Sequence, residues 1–231
     1  MLQPGEPHVR ERRRSLRRIG LIVAGGAVLI VLVAAAHQRA RHADMFPPPA
    51  KASLASLSLR QRIVAIVDSQ VGYRTDPAST YCNKYSAHWT SGTPGCPQGE
   101  LAEEWCADFA AWAWQRAGVH FTYGYSPGDI SGAAVSFYEW GVHHGSWHAA
   151  GSGYRPRPGD IAVYGLDPAK RTAVHVAIVS GFTRGAAGPN VVNGNGDRTG
   201  YSVVEKGAKQ RVAEAMNAGS ALSGYVSPLP G

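Results

Sequence analysis

The order of patterns along the chain constrains its fold more than any other feature. Apolar residues recur at helical spacing up to about residue 140, and short β-rich runs bounded by turn residues replace them after Gly151. Residues 59–71 place Ile63, Ile66 and Val67 three and four positions apart and stop at Gly72, which predicts a helix. Residues 103–117 put Trp105, Phe109, Trp112 and Ala113 on one stripe, with acidic residues at the start and Gly118 at the stop, which predicts a second. A third is expected over 131–140, with Ser131 as N-cap and Val135, Phe137 and Tyr138 packed inward. The runs 160–164, 175–179, 191–193, 201–205 and 224–227 predict an antiparallel meander. Helices first and strands afterwards, without alternation, predict an α+β domain whose N-terminal helices pack on one face of an antiparallel β-sheet.

Upstream of that domain, residues 19–36 form an apolar run of 18 without a charge, long enough to cross a bilayer core of about 30 Å as a helix. The expected organisation is a basic cytoplasmic N-terminus over 1–18, a single transmembrane helix or signal anchor over 19–36, a Pro-, Ala- and Ser-rich spacer over 37–58 and a folded domain over 59–231. Arg10, Arg12, Arg13, Arg14, Arg17 and Arg18 precede the run and orient it with the domain outside, although Arg39 and Arg41 dilute the bias. A cleaved signal ending near Ala36 is the competing reading, which makes the product secreted instead of a single-pass protein of the cell membrane.

The formal charge of +7 does not imply a nucleic-acid partner. Residues 1–36 hold six Arg against two Glu, and the remainder carries only +3 without a basic stripe. The three cysteines are more informative. Cys82 and Cys96 flank a Gly-, Pro-, Ser- and Thr-rich loop that can bend back on itself, so an exported domain is expected to pair these two and leave Cys106 over.

Cys106 falls at the start of the second helix, where free backbone N–H groups and the helix dipole are expected to depress its pKa and to hold an oxyanion, while Glu103 and Glu104 push the other way. His175 opens a strand directly after the loop 167–174, which suits a general base. Asn193 and Asn195 follow a strand in the run NGNGD, and either could accept the His175 N–H and fix its tautomer. No metal or cofactor is called for: His143, His144 and His148 cluster without a Cys or acidic ligand at zinc spacing, and the NGNGD run departs from a calcium loop at Arg198 and Val204.

Taken together, NKYS after Cys82, EEWCADFAAWAWQRAG, YRPRPGDIAVYG, HVAIVSGF and VVNGNGD resemble the CHAP family of cysteine, histidine-dependent amidohydrolases and peptidases, in the papain-like NlpC/P60 group. The motifs occur in the family's order over roughly residues 60–228. The resemblance implies a papain-like α+β fold and hydrolysis of peptidoglycan, at the amide joining muramic acid to L-Ala or within the peptide stem or cross-bridge. Carried over by position, Cys106 matches the nucleophile and His175 the base. Asn193 matches a polar residue that is often Glu in relatives, and Asn195 a second polar residue near it. Two alternatives stay open: an inactive module of the same fold that binds the wall or a partner, and acyl transfer to an amine instead of water.

Overall fold

The structure, a computed structural model, describes residues 46–77, 80–184, 188–196, 203–208 and 221–230. The expected transmembrane segment over 19–36 lies outside these residues. Among the described residues no helix is long and apolar enough to cross a membrane. The longest, Cys106–Ala117 with 12 residues, spans only about 18 Å at 1.5 Å per residue. Over the described residues the fold is thus corrected to an α+β domain alone, and the spanning helix expected before it is not among them.

Within the stretch read as spacer, Lys51–Leu54 (α1) form one turn of helix and bury Leu54. Leu59–Asp68 (α2) starts with a capping box: the Ser58 hydroxyl accepts from the Gln61 N–H while Gln61 Oε1 accepts from the Ser58 N–H at 2.9 Å. Its apolar side buries Ile63, Ile66 and Val67, as the spacing requires. A short element absent from the sequence reading follows. Cys82–Asn83 (β1) pairs antiparallel with Leu101–Ala102 (β2), and Asn83 caps Lys84–Trp89 (α3) by accepting from the Tyr85 and Ser86 N–H groups at 3.0 and 2.8 Å. The Cys82–Cys96 disulfide closes this unit, as expected from the loop it spans.

The second predicted helix is Cys106–Ala117 (α4), stopped by Gly118 in the left-handed region at φ 98°. It begins three residues later than its acidic start suggests, so Glu103 and Glu104 precede it. The third helix is Val135–His143 (α5), not 131–140. Ser131 does not cap it: its hydroxyl accepts from the Ala133 N–H and so shapes the approach to the helix. A glycine at 141 lets α5 lie on the sheet, since a Cβ there would sit 2.9 Å from Val226 Cγ1.

Six strands follow: Trp147–Ala149 (β3), Ile161–Tyr164 (β4), His175–Phe182 (β5), Pro189–Gly196 (β6), Val203–Ala208 (β7) and Leu222–Val226 (β8). They form one antiparallel sheet in the order β3-β8-β4-β5-β6-β7. The meander expectation holds for β4 to β7; β8 returns to the other side of β4. Side chains alternate across the sheet. Ile161, Val163, Val176, Ile178, Val192 and Val204 join the helical core with Ile63, Ile66, Phe109 and Trp114. Ala162, Tyr164, Ala177, Val179, Val191 and Tyr225 form a second cluster.

The PGD run has a structural use. Asp160 is buried and binds Arg60 of α2 at 2.7 Å, the Tyr154 hydroxyl at 2.8 Å and the Arg157 N–H at 2.7 Å. The Gly159 carbonyl accepts the Trp114 indole N–H at 3.0 Å. One turn thus fastens α2 and α4 to the start of β4.

Candidate active site

Cys106 is the first residue of α4, and the buried Trp105 is its N-cap residue without a side-chain cap. The first helix bond closes from the Phe109 N–H to the Trp105 carbonyl, which leaves the N–H groups of the first turn free of helix acceptors. The backbone N–H groups of Val176 and Ala107 lie close enough to the Cys106 sulfur to favour its thiolate. Val176 is able to donate because the β5–β6 ladder ends at Ile178 opposite Val192. The sulfur therefore lies at the backbone of β5, one residue from His175.

His175 is fully buried. Its Nε2 lies 3.1 Å from Asn193 Oδ1. The Asn193 amide is itself fixed, because its Nδ2 donates to the Glu205 carbonyl on β7 at 3.1 Å. The oxygen must then face the ring, so Nε2 carries the proton and donates, and Nδ1 keeps the lone pair. Among the described residues Nδ1 is buried without a hydrogen-bond partner. Asn193 thus takes the orienting contact that the sequence left between two asparagines. Asn195 sits in the left-handed region at φ 57°, inside the β6–β7 register shift between Asn193 and Gly196.

Gly194 explains the small residue between them. A Cβ there would meet Trp105 Cζ3 at 2.6 Å and Phe109 Cβ at 2.7 Å, so only glycine lets the strand that carries Asn193 lie against the helix that carries Cys106.

Electrostatics differ from the sequence expectation. Burial pushes the Cys106 thiol up to about 11, and the Val176 and Ala107 N–H groups only partly oppose it, with the Glu104 and Asp108 charges adding to the rise. The expected depression by the helix terminus is therefore corrected: desolvation outweighs it. Burial also lowers His175 to about 4, against the pull of the Asn193 bond. The resting pair at neutral pH is a neutral thiol and a neutral imidazole with its base nitrogen free.

Two of the three clustered histidines are used in packing. His144 stacks on Trp140 at 4.4 Å and bonds its carbonyl, and His148 stacks on Tyr154 at 3.6 Å. Among the described residues no group of three or more His, Cys, Asp or Glu could hold a metal ion. Residues 197–202 of the calcium-like run, Arg198 among them, lie outside the described residues, and Val204 is buried in β7. Sequence reasoning missed two neighbours of the site. Tyr164 pairs across β4 and β5 with His175, its ring 6.3 Å away, and among the described residues its buried hydroxyl lacks a partner. Asp108 is wholly buried in α4, and its only sequence signal is one acid within the apolar run WCADFAAW.

Residues 98–195 match the CHAP domain family, a span that holds Cys106, His175 and Asn193. No curated protein matches the chain. Among solved structures it is similar to NlpC2 from Trichomonas vaginalis, with 15% identity, a TM-score of 0.40 and coverage of 75% of this chain and 47% of that one. The chain thus spans about half the length of that protein.

Proposed function

We propose that this chain, with the CHAP domain of residues 98–195 as its working part, hydrolyses amide bonds of peptidoglycan with Cys106 as nucleophile and His175 as general base. The observation that carries the reading is the fixed tautomer. Asn193 directs the His175 proton to Nε2, so Nδ1, buried and without a partner among the described residues, is a base, one residue from the Val176 N–H that favours the Cys106 thiolate.

In the proposed cycle the proton of Cys106 passes to His175 Nδ1 as the sulfur attacks the carbonyl carbon. Free N–H groups of the first turn of α4 stabilise the tetrahedral oxyanion. Collapse breaks the C–N bond, His175 returns the proton to the leaving amine, and a thioester remains on Cys106. Water, deprotonated by His175, then releases the acid and restores the thiol. The bond cleaved is the muramoyl-L-Ala amide or a peptide bond of the stem or cross-bridge. The Cys82–Cys96 disulfide supports action outside the reducing cytoplasm.

The test is mass spectrometry of fragments released from purified sacculi by the wild-type chain and by Cys106→Ala. The expected result is release by the wild type alone, with unchanged circular dichroism in the variant. Turnover by Cys106→Ala refutes the assignment, and a wild-type protein that binds sacculi without cutting them returns the inactive-module reading.

A further inference from the structure

The first turn of α4 holds a second buried group that the hydrolytic cycle does not use. Asp108, two residues past Cys106, is fully buried and accepts the Tyr123 hydroxyl at Oδ1. Its carboxyl lies within hydrogen-bonding reach of the Glu103 carboxyl. Both converge on Gly132, where a Cβ would sit 3.2 Å from Asp108 Oδ1, 3.3 Å from Glu103 Oε1 and 3.2 Å from Ser91 Oγ. Glu103 Oε1 and Asp108 Oδ2 are both buried, and among the described residues neither receives a donor. Two carboxylates that meet away from water repel each other unless one proton lies between them. None of the described ion pairs brings a cation to either residue. The groups that face the pair are Ser86 of α3, Ser91 just beyond it, Tyr123 from the segment after α4 and the Gly132 backbone; on its own segment stand the exposed Glu104 and the Cys106 thiol.

We propose that Glu103 and Asp108 are positioning residues that share a single proton, fasten the start of α4 to the segments of Ser91 and Gly132, and limit the negative charge beside Cys106 to one. The inference rests on the reading of Cys106 as nucleophile. Burial first, and then the contact with Glu103, raises Asp108 to about 7. Asp108 is one of the charges that, after burial and Glu104, push the thiol up. Loss of the shared proton on the alkaline side therefore places a second negative charge where a thiolate must form, and the reaction slows.

The experiment follows two readouts across neutral pH on the full chain: kcat/KM for muropeptide hydrolysis, and the rate of Cys106 alkylation by iodoacetamide, which needs no wall substrate. In the wild type the alkaline step lowers kcat/KM, and the alkylation rate relative to its thiolate trend, by about three- to tenfold. Glu103→Gln replaces the facing carboxyl by an amide donor to ionised Asp108, so the step moves to lower pH in both readouts. Tyr123→Phe removes a donor to ionised Asp108, so the step moves to higher pH. The second variant decides the matter should the first fail to fold. A step unmoved by both substitutions overturns the proposal. A step that moves in alkylation without any muropeptide turnover keeps the carboxyl pair and discards the hydrolase reading; turnover with an unmoved step does the reverse.

Discussion

Asn193→Ala is the substitution that tests the site most directly, because one amide does two things at once. It accepts from His175 Nε2 at 3.1 Å and donates to the Glu205 carbonyl at 3.1 Å. Truncation leaves a buried N–H and a carbonyl without their partner, at about 1–3 kcal/mol each. The two together predict a loss of about 2–6 kcal/mol, which lowers the melting temperature by at least about 4 °C in a domain of this size. The kinetic effect is separate. Without the acceptor the imidazole is free to carry its proton on Nδ1, which removes the base from the buried side of the ring. The expected fall in kcat is about 10²- to 10⁴-fold, with KM little changed. Stopped-time assays on soluble muropeptides and thermal melts of the same preparations give both numbers. A variant that keeps kcat within about threefold of wild type while showing the predicted melt would refute the tautomer argument and leave Asn193 a structural residue.

Gly194→Ala forces a methyl into Trp105 and Phe109. Overpacking of this kind costs about 1–3 kcal/mol and shifts α4 against β6, so urea unfolding and kcat should both suffer. Replacing Cys82 and Cys96 together by Ser opens a loop of sequence separation 14; equilibrium unfolding should show a loss of about 3 kcal/mol, equal to that of the wild type under reductant. The buried His175 gives a pH signature with a definite sign. Its folded value of about 4 lies below the ordinary 6.5, so its share of stability is full above 6.5 and is lost as pH falls through 4. Asp108, raised to about 7 from 3.8, acts oppositely: its share is present at low pH and lost as pH rises through 7. The difference between wild type and His175→Gln in urea stability should therefore change between pH 6.5 and 4 by about 3 kcal/mol. A pH-independent difference rejects the buried neutral imidazole.

The long periodic elements were legible from local pattern. The spacing of Ile63, Ile66 and Val67 and the stop at Gly118 both appear in the structure as helix features. Cys106 at a helix start and His175 at a strand start were legible for the same reason, since each stands at a change of period. What local pattern does not carry is solvation. The position of Cys106 on a helix terminus argues for a low pKa, yet the residues that bury it, such as Trp105 and the β5 backbone, act through the tertiary fold. The choice between Asn193 and Asn195 was equally unreadable, because it depends on which amide finds the Glu205 carbonyl of another strand. The β1–α3–β2 unit escaped notice because its strands have only two residues each, too short for a period to register. Ser131 carries the right chemistry for a helix cap, but its hydroxyl accepts from the Ala133 N–H, two residues short of the helix start at Val135.

Strand β8, residues Leu222–Val226, lies between β3 and β4, and β4 is in turn the partner of the strand that opens with His175. Excision of these five residues by a protease would strip β4 of one flank and unseat Gly141 from Val226. Such a cut, touching neither sulfur nor imidazole, would disable the centre from the opposite end of the chain.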